Sequence, residues 1–222
     1  MGERIQLTAD DGHVLDAYRA DPAGTPKAGM VLIQEIFGVN HHIRSVCDYW
    51  AQHGYLVVAP ALFDRVGKNI ELGYDEAGRN EGMETRGKTT FDENLKDVAA
   101  AAEVVQEAGK TVVLGFCFGG AVAWQAACNL DFDVAVCFYG GGIANALDLD
   151  ANCPVMMHFG EEDAAIPMSD VADIRSAKPD AVIHTYAGAG HGFACDERDS
   201  YNAEATALAR ERTIAFLDEQ LG

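Results

Sequence analysis

The run Thr111-Val112-Val113-Leu114, followed at once by Gly115-Phe116-Cys117-Phe118-Gly119-Gly120, restricts this chain more than any other segment. A short β-branched and apolar run reads as a buried strand, and the glycines after it demand a sharp turn before a helix. Cys117 stands at the centre of a Gly-x-Cys-x-Gly spacing, where this strand–turn–helix unit presents a nucleophile that is usually serine. The central residue sits at a strained backbone, and flanking glycines let strand and helix approach. The helix N-terminus then aims partial positive charge and N–H groups at the thiol. That lowers the thiol pKa and supplies part of an oxyanion hole. Taken alone, the segment also fits a Gly-rich turn with a buried, inert cysteine.

A nucleophile of this kind needs a base, and the base needs a group to orient it, in the chain order nucleophile, acid, histidine. Downstream, Pro154-Val155-Met156-Met157-His158-Phe159-Gly160 is an apolar strand that runs into Glu161-Glu162-Asp163. Asp163 is the expected acid, with Glu162 as the fallback; either also reads as a solvated loop acid in so acidic a chain. His191 lies in the Gly-rich loop Gly188-Ala189-Gly190-His191-Gly192 after another strand, with its ring free to reach a neighbour. His158 and His184 fall within strands, His13 in an early turn, and His41, His42 and His53 in a helix and its entry. None is spaced with cysteine or another histidine as a zinc cluster, so no metal is expected.

A further strand, Met30-Val31-Leu32-Ile33-Gln34, ends in Glu35-Ile36-Phe37-Gly38-Val39-Asn40. A loop at this position supplies the second oxyanion N–H in folds of this kind, here from Ile36, with Phe118 giving the first. Glu35 would face the site, although a loop or helix-capping acid is the plainer reading.

These residues resemble the dienelactone hydrolases (carboxymethylenebutenolidases), a cysteine branch of the α/β-hydrolase fold. The resemblance rests on Gln34–Asn40, Tyr55–Phe63, Gly115–Gly120, Phe159-Gly160 with Asp163 and Pro167, and Gly190–Phe193, in family order over most of the chain. It implies a lactone or ester hydrolase working through a thioacyl-enzyme intermediate. The resting Cys117 would be largely a neutral thiol, activated when substrate shifts Glu35 to accept its proton. The thiolate would attack the carbonyl, and Ile36 and Phe118 N–H groups would hold the oxyanion. His191, oriented by Asp163, would manage the leaving group and then water. No cofactor is implied, the partner is a small lactone or ester, and family members are often monomers.

One departure concerns substrate. Lactonase members carry a small hydroxyl residue directly after the catalytic histidine and a carboxylate-binding arginine a few residues on. Here those positions hold Gly192 and Cys195, with Arg198 near but offset. The other substrate-binding arginine would fall at Arg79, with Arg86 a weaker candidate, beside Tyr74 and Phe37. A broader carboxylesterase or thioesterase on the same machinery is therefore an alternative, and a thiol redox sensor built on Cys117 is a more distant one.

At 222 residues, 49% of them apolar, the chain is long enough for one α/β domain over 1–222 with a sizeable core. The formal charge of −19 argues against a nucleic-acid partner and would repel an anionic substrate at long range, so a local arginine must counter it. No apolar run reaches the roughly 20 residues that span a bilayer, and no signal peptide is visible. Six scattered cysteines then read as reduced thiols in a cytoplasm. Besides Cys117 itself, only Cys195, four residues past His191, is expected near the site.

Strands are expected near 5–8, 14–19, 29–34, 56–60, 110–114, 134–139, 155–159 and 181–186. Helices are expected near 43–53, 93–106, 118–129, 168–177 and 202–220. The first two strands should form an antiparallel hairpin at Asp10-Asp11-Gly12. The rest alternates strand and helix, which gives a mainly parallel sheet of about eight strands with helices on both faces. Residues 64–92 read as an irregular polar insertion. Glu35, Cys117, Asp163 and His191 all fall at carboxyl ends of strands, where α/β sheets place their sites.

Overall fold

A computed structural model describes residues 2–222. Eight strands form one sheet in the order β1-β2-β4-β3-β5-β6-β7-β8, where β1 is Glu3–Thr8, β2 Val14–Ala20, β3 Ala28–Ile33, β4 Tyr55–Pro60, β5 Thr111–Phe116, β6 Val134–Phe138, β7 Val155–Gly160 and β8 Val182–Tyr186. Strands β3 to β7 are buried at every position, whereas β1, β2 and β8 have exposed or half-exposed positions. This is the pattern of a sheet covered on both faces, with its central strands hydrophobic throughout. Six α-helices accompany it: α1 His41–Gln52, α2 Glu76–Arg86, α3 Phe91–Val105, α4 Phe118–Asn129, α5 Met168–Ala177 and α6 Ala203–Leu221. The chain separates into two compact units, Met1–Val113 and Leu114–Gly222, and the division falls within β5.

In the first unit, β1 and β2 pair antiparallel through Leu7–Leu15, β2 runs antiparallel to β4, and β3 is parallel to β4. Helix α1 starts where the Asn40 side chain accepts from the Ile43 N–H at 3.2 Å, and it buries Ile43, Val46, Cys47, Trp50 and Ala51. That spacing is a single helical stripe. Helix α3 begins with a reciprocal capping box between Thr90 and Glu93.

Helix α2 corrects the expectation of an irregular stretch over 64–92. Asp75 caps it by accepting from the Gly78 N–H at 2.8 Å, and its buried face is Gly78, Gly82 and Thr85. A face of small residues carries no apolar periodicity, so the helical signal is absent from the sequence. The small residues have a purpose: a Cβ on Gly82 would collide with the Ile36 carbonyl. Helix α2 thus lies directly on the Glu35-Ile36-Phe37 turn that follows β3.

In the second unit, β6, β7 and β8 are parallel neighbours. Helix α4 packs against β6, and α6 packs against β6 and β7. A Cβ on Gly120 would meet the Phe138 carbonyl, so glycine is required where α4 crosses β6. Among the described residues no helix is long and apolar enough to cross a membrane.

Candidate active site

Cys117 lies between β5 and α4 with φ 54° and ψ −116°. Such a backbone is strained for any residue with a Cβ, and it persists only where the surroundings fix it. They do so here through two close approaches. A Cβ on Gly115 would collide with the Gly119 carbonyl, and the Cys117 N–H donates to Phe138 O at 3.0 Å. The Cys117 carbonyl accepts from the Gly120 and Ala121 N–H groups, so the thiol stands at the N-terminus of α4.

His191 Nε2 is 3.1 Å from Cys117 Sγ, and His191 Nδ1 is 2.7 Å from Asp163 Oδ2. The Asp163 side chain has no exposed surface. Its other oxygen accepts from the Ala165 and Ile166 N–H groups at 2.8 and 3.1 Å, which fixes the carboxylate plane. Glu162, the alternative acid, is exposed, and His191 Nδ1 is bonded to Asp163. Burial works against a charge on His191. Hydrogen bonds to Asp163 and Cys117, with the charges of both, outweigh it and raise the imidazole to about 10. The arrangement therefore favours a proton on His191 Nε2, which faces the Cys117 thiol.

Two further residues stand beside this group: Tyr139, which the sequence reading did not single out, and Arg198, which it placed near but offset. Tyr139, at the end of β6, has φ 37° and is fully buried, with its ring edge-on to His191 at 5.3 Å. Arg198 is offset along the chain from the family's position, yet its guanidinium lies against Gly192, in the space any Cβ there would occupy. The signal for this was Gly192 itself, since a hydroxyl-bearing residue would exclude the guanidinium. Cys195 is fully buried, and its N–H donates to Gly192 O.

The remaining candidates belong to the first unit. Glu35 has no exposed surface, and Ile36 and Phe37 are buried. Phe37 and Tyr74 are in ring contact at 4.5 Å, and the Leu72 N–H donates to Phe37 O at 2.9 Å, strapping the segment before α2 to the turn after β3. Arg79 projects from the exposed face of α2, and Arg86 is half-buried near its end. No group of three or more His, Cys, Asp or Glu among the described residues could hold a metal ion. The six cysteines are thiols, with no disulfide among the described residues.

The dienelactone hydrolase family model matches residues 15–221. A carboxymethylenebutenolidase of Pseudomonas putida is 32% identical over 98% of this chain and 96% of its own length. A crystal structure from Klebsiella pneumoniae, provisionally named a dienelactone hydrolase, superposes with a TM-score of 0.83 at 30% identity, covering 97% of this chain and 98% of that one. A dienelactone hydrolase-like promiscuous phosphotriesterase from metagenomic libraries shares the fold, with a TM-score of 0.78 at 19% identity over 100% of this chain and 99% of its own. A cysteine at a strained turn, bonded to a histidine that a buried aspartate orients, is thus carried on a sequence matched by one family model from β2 to the end of α6: this chain belongs to the dienelactone hydrolase family, whose members are carboxylic ester hydrolases.

Proposed function

We propose that this enzyme, working as one domain over 1–222, hydrolyses lactones or esters of small carboxylate-bearing acids, with Cys117 as nucleophile, His191 as base and then acid, and Asp163 as its orienter. The observation that carries the reading is the continuous pair of contacts from Asp163 through His191 to Cys117, at 2.7 and 3.1 Å. His191 Nε2 takes the thiol proton, and Sγ attacks the carbonyl carbon. Negative charge develops on the carbonyl oxygen, where the N–H groups of Phe118 and Ile36 are the proposed donors. Collapse expels the alkoxide or enolate, which receives the proton from His191, and leaves a thioester on Cys117. Water, deprotonated by His191, then attacks the thioester and releases the carboxylic acid. Glu35, buried at the end of β3, is proposed to assist the first proton transfer. Phe37, Tyr74 and Arg79 would contribute to the substrate surface.

Arg198 supports the acidic substrate class. In a chain of net charge −19, a guanidinium seated against Gly192, next to His191, provides the local positive charge that an anionic lactone requires. All three groups of the triad come from one chain, so a monomer suffices. The test compares a dienelactone bearing a free carboxylate with neutral p-nitrophenyl acetate. Cys117→Ser should abolish both activities. Arg198→Met should raise KM for the acidic lactone by about tenfold or more and leave the neutral ester within about twofold. Equal effects on the two substrates would refute the acidic assignment and favour a broader esterase or thioesterase. Full activity in Cys117→Ser would refute the nucleophile.

A further inference from the structure

His158 lies in β7, outside the Cys117–His191–Asp163 group, with no exposed surface. Its Nε2 is 3.0 Å from Thr213 Oγ1 on α6, and its Nδ1 is 2.7 Å from the Tyr186 hydroxyl at the end of β8. The Thr213 hydroxyl donates its only proton to Ala209 O at 2.8 Å. Its oxygen can therefore only accept from the ring, so Nε2 carries the imidazole proton. Burial, with His184 and Arg212 nearby, pushes the His158 pKa well below its ordinary value, and the ring is neutral. Bare Nδ1 then receives the phenol proton of Tyr186. The chain runs one way: Tyr186 O–H to His158, His158 N–H to Thr213, Thr213 O–H to Ala209.

Its upper end meets the catalytic loops. The main-chain carbonyl of Tyr186 accepts from the Glu161 N–H at 3.0 Å and from the Ala189 N–H at 3.3 Å. Those amides open the two loops that carry Asp163 and His191, and the Glu162 N–H donates to Ala189 O at 2.9 Å to join them again. The His158 carbonyl accepts from the N–H of Tyr139, whose ring edge meets His191. Tyr186 itself is sandwiched, with Phe193 at 5.1 Å and the Arg212 guanidinium over its ring at 5.3 Å. Apolar side chains of the same size would fill this volume without any polar group to satisfy. A satisfied polar chain adds direction and fixed length, which apolar packing does not.

We propose that His158, Tyr186 and Thr213 are positioning residues whose one-way hydrogen-bond chain anchors the Tyr186 carbonyl to α6 and so sets the separation of the Asp163 and His191 loops. The proposal rests on the triad reading above. It is tested with Tyr186→Phe, which keeps the ring, with the near-isosteric Thr213→Val, and with Thr213→Ser as the conservative rescue. The measurements are melting temperature and the pH dependence of kcat and KM on p-nitrophenyl acetate, with Cys117→Ser as control. Tyr186→Phe and Thr213→Val should lower kcat about tenfold with KM within about twofold, because a small misplacement of the base acts on the chemical step. The acid limb of kcat should move to lower pH by about half a unit or more, since a looser Asp163–His191 contact removes part of what raises the His191 base. Thr213→Ser should restore both. A lowered melting temperature with kcat and the limb unchanged would overturn the proposal and leave the chain a scaffold. If Thr213→Val does not fold, Tyr186→Phe decides by the same criteria. Wild-type turnover in Cys117→Ser would overturn the triad reading and this inference with it, an outcome distinct from a Cys117-dependent enzyme indifferent to Tyr186 and Thr213.

Discussion

Replacing Asp163 by asparagine should invert the histidine. The Ala165 and Ile166 N–H groups both donate to Oδ1, at 2.8 and 3.1 Å, so an oxygen must remain at that site. The amide nitrogen of the new side chain would then face His191 Nδ1 across the present 2.7 Å contact and donate to it. Nδ1 becomes an acceptor, and the ring proton moves to Nε2, pointing at Cys117 Sγ 3.1 Å away. A protonated Nε2 on a neutral ring cannot take the thiol proton. Raising His191 from 6.5 to about 10 corresponds to roughly 5 kcal/mol of preference for the imidazolium, shared between Asp163 and Cys117. Losing the aspartate's share together with the correct tautomer should lower kcat by about three to four orders of magnitude. The assay is p-nitrophenyl acetate turnover. Stability carries the same signature. A group whose pKa is raised on folding stabilises fully below its unfolded value and loses that contribution as pH rises through the folded one. The melting-temperature gap between wild type and Asp163→Asn should therefore be widest below about pH 6.5 and close as pH passes about 10. A variant within about threefold of wild-type kcat would refute the reasoning.

Two further outcomes follow from buried carboxylates in the first unit. Glu35→Ala should lower kcat by about a hundredfold, the range of a lost general base, while circular dichroism stays native; unchanged turnover would remove Glu35 from thiol activation. Arg65 forms a two-point contact with the fully buried Asp97 at 2.7 and 2.8 Å, so Arg65→Ala should destabilise by about 3–5 kcal/mol in denaturant titration. Burial already pushes Asp97 up and Arg65 pulls it down, so the loss should ease in acid as Asp97 protonates; a pH-independent loss would mean that packing dominates.

The grouping of Cys117, Asp163 and His191 in the second unit was legible in the sequence because it is written in local backbone demands. Gly115 and Gly119 are required by the close approach around Cys117, and a short loop after each strand leaves few positions for an acid or a base. Periodicity likewise located the buried strands and every helix with an apolar stripe. It failed at α2, whose buried face is Gly78, Gly82 and Thr85, since contact with the Ile36 carbonyl selects for absent side chains rather than apolar ones. Charge position was legible only in part: the sequence named Arg198 as near but offset and could not place its guanidinium. Arg198 lies seven residues past His191, and only the folding of the intervening turn lays its guanidinium in the space that Gly192 leaves open. His158, Tyr186 and Thr213 come from β7, β8 and α6 and read singly as ordinary core or strand residues. Their hydrogen bonds acquire a direction only when the three elements pack, because the Ala209 carbonyl on α6 fixes the proton of Thr213, and that in turn fixes every proton up the chain to Tyr186. The sequence by itself determined which side chains are candidates to react and on which strand ends they ride. Tertiary structure decided which way their protons point, since that depends on partners dozens of residues away.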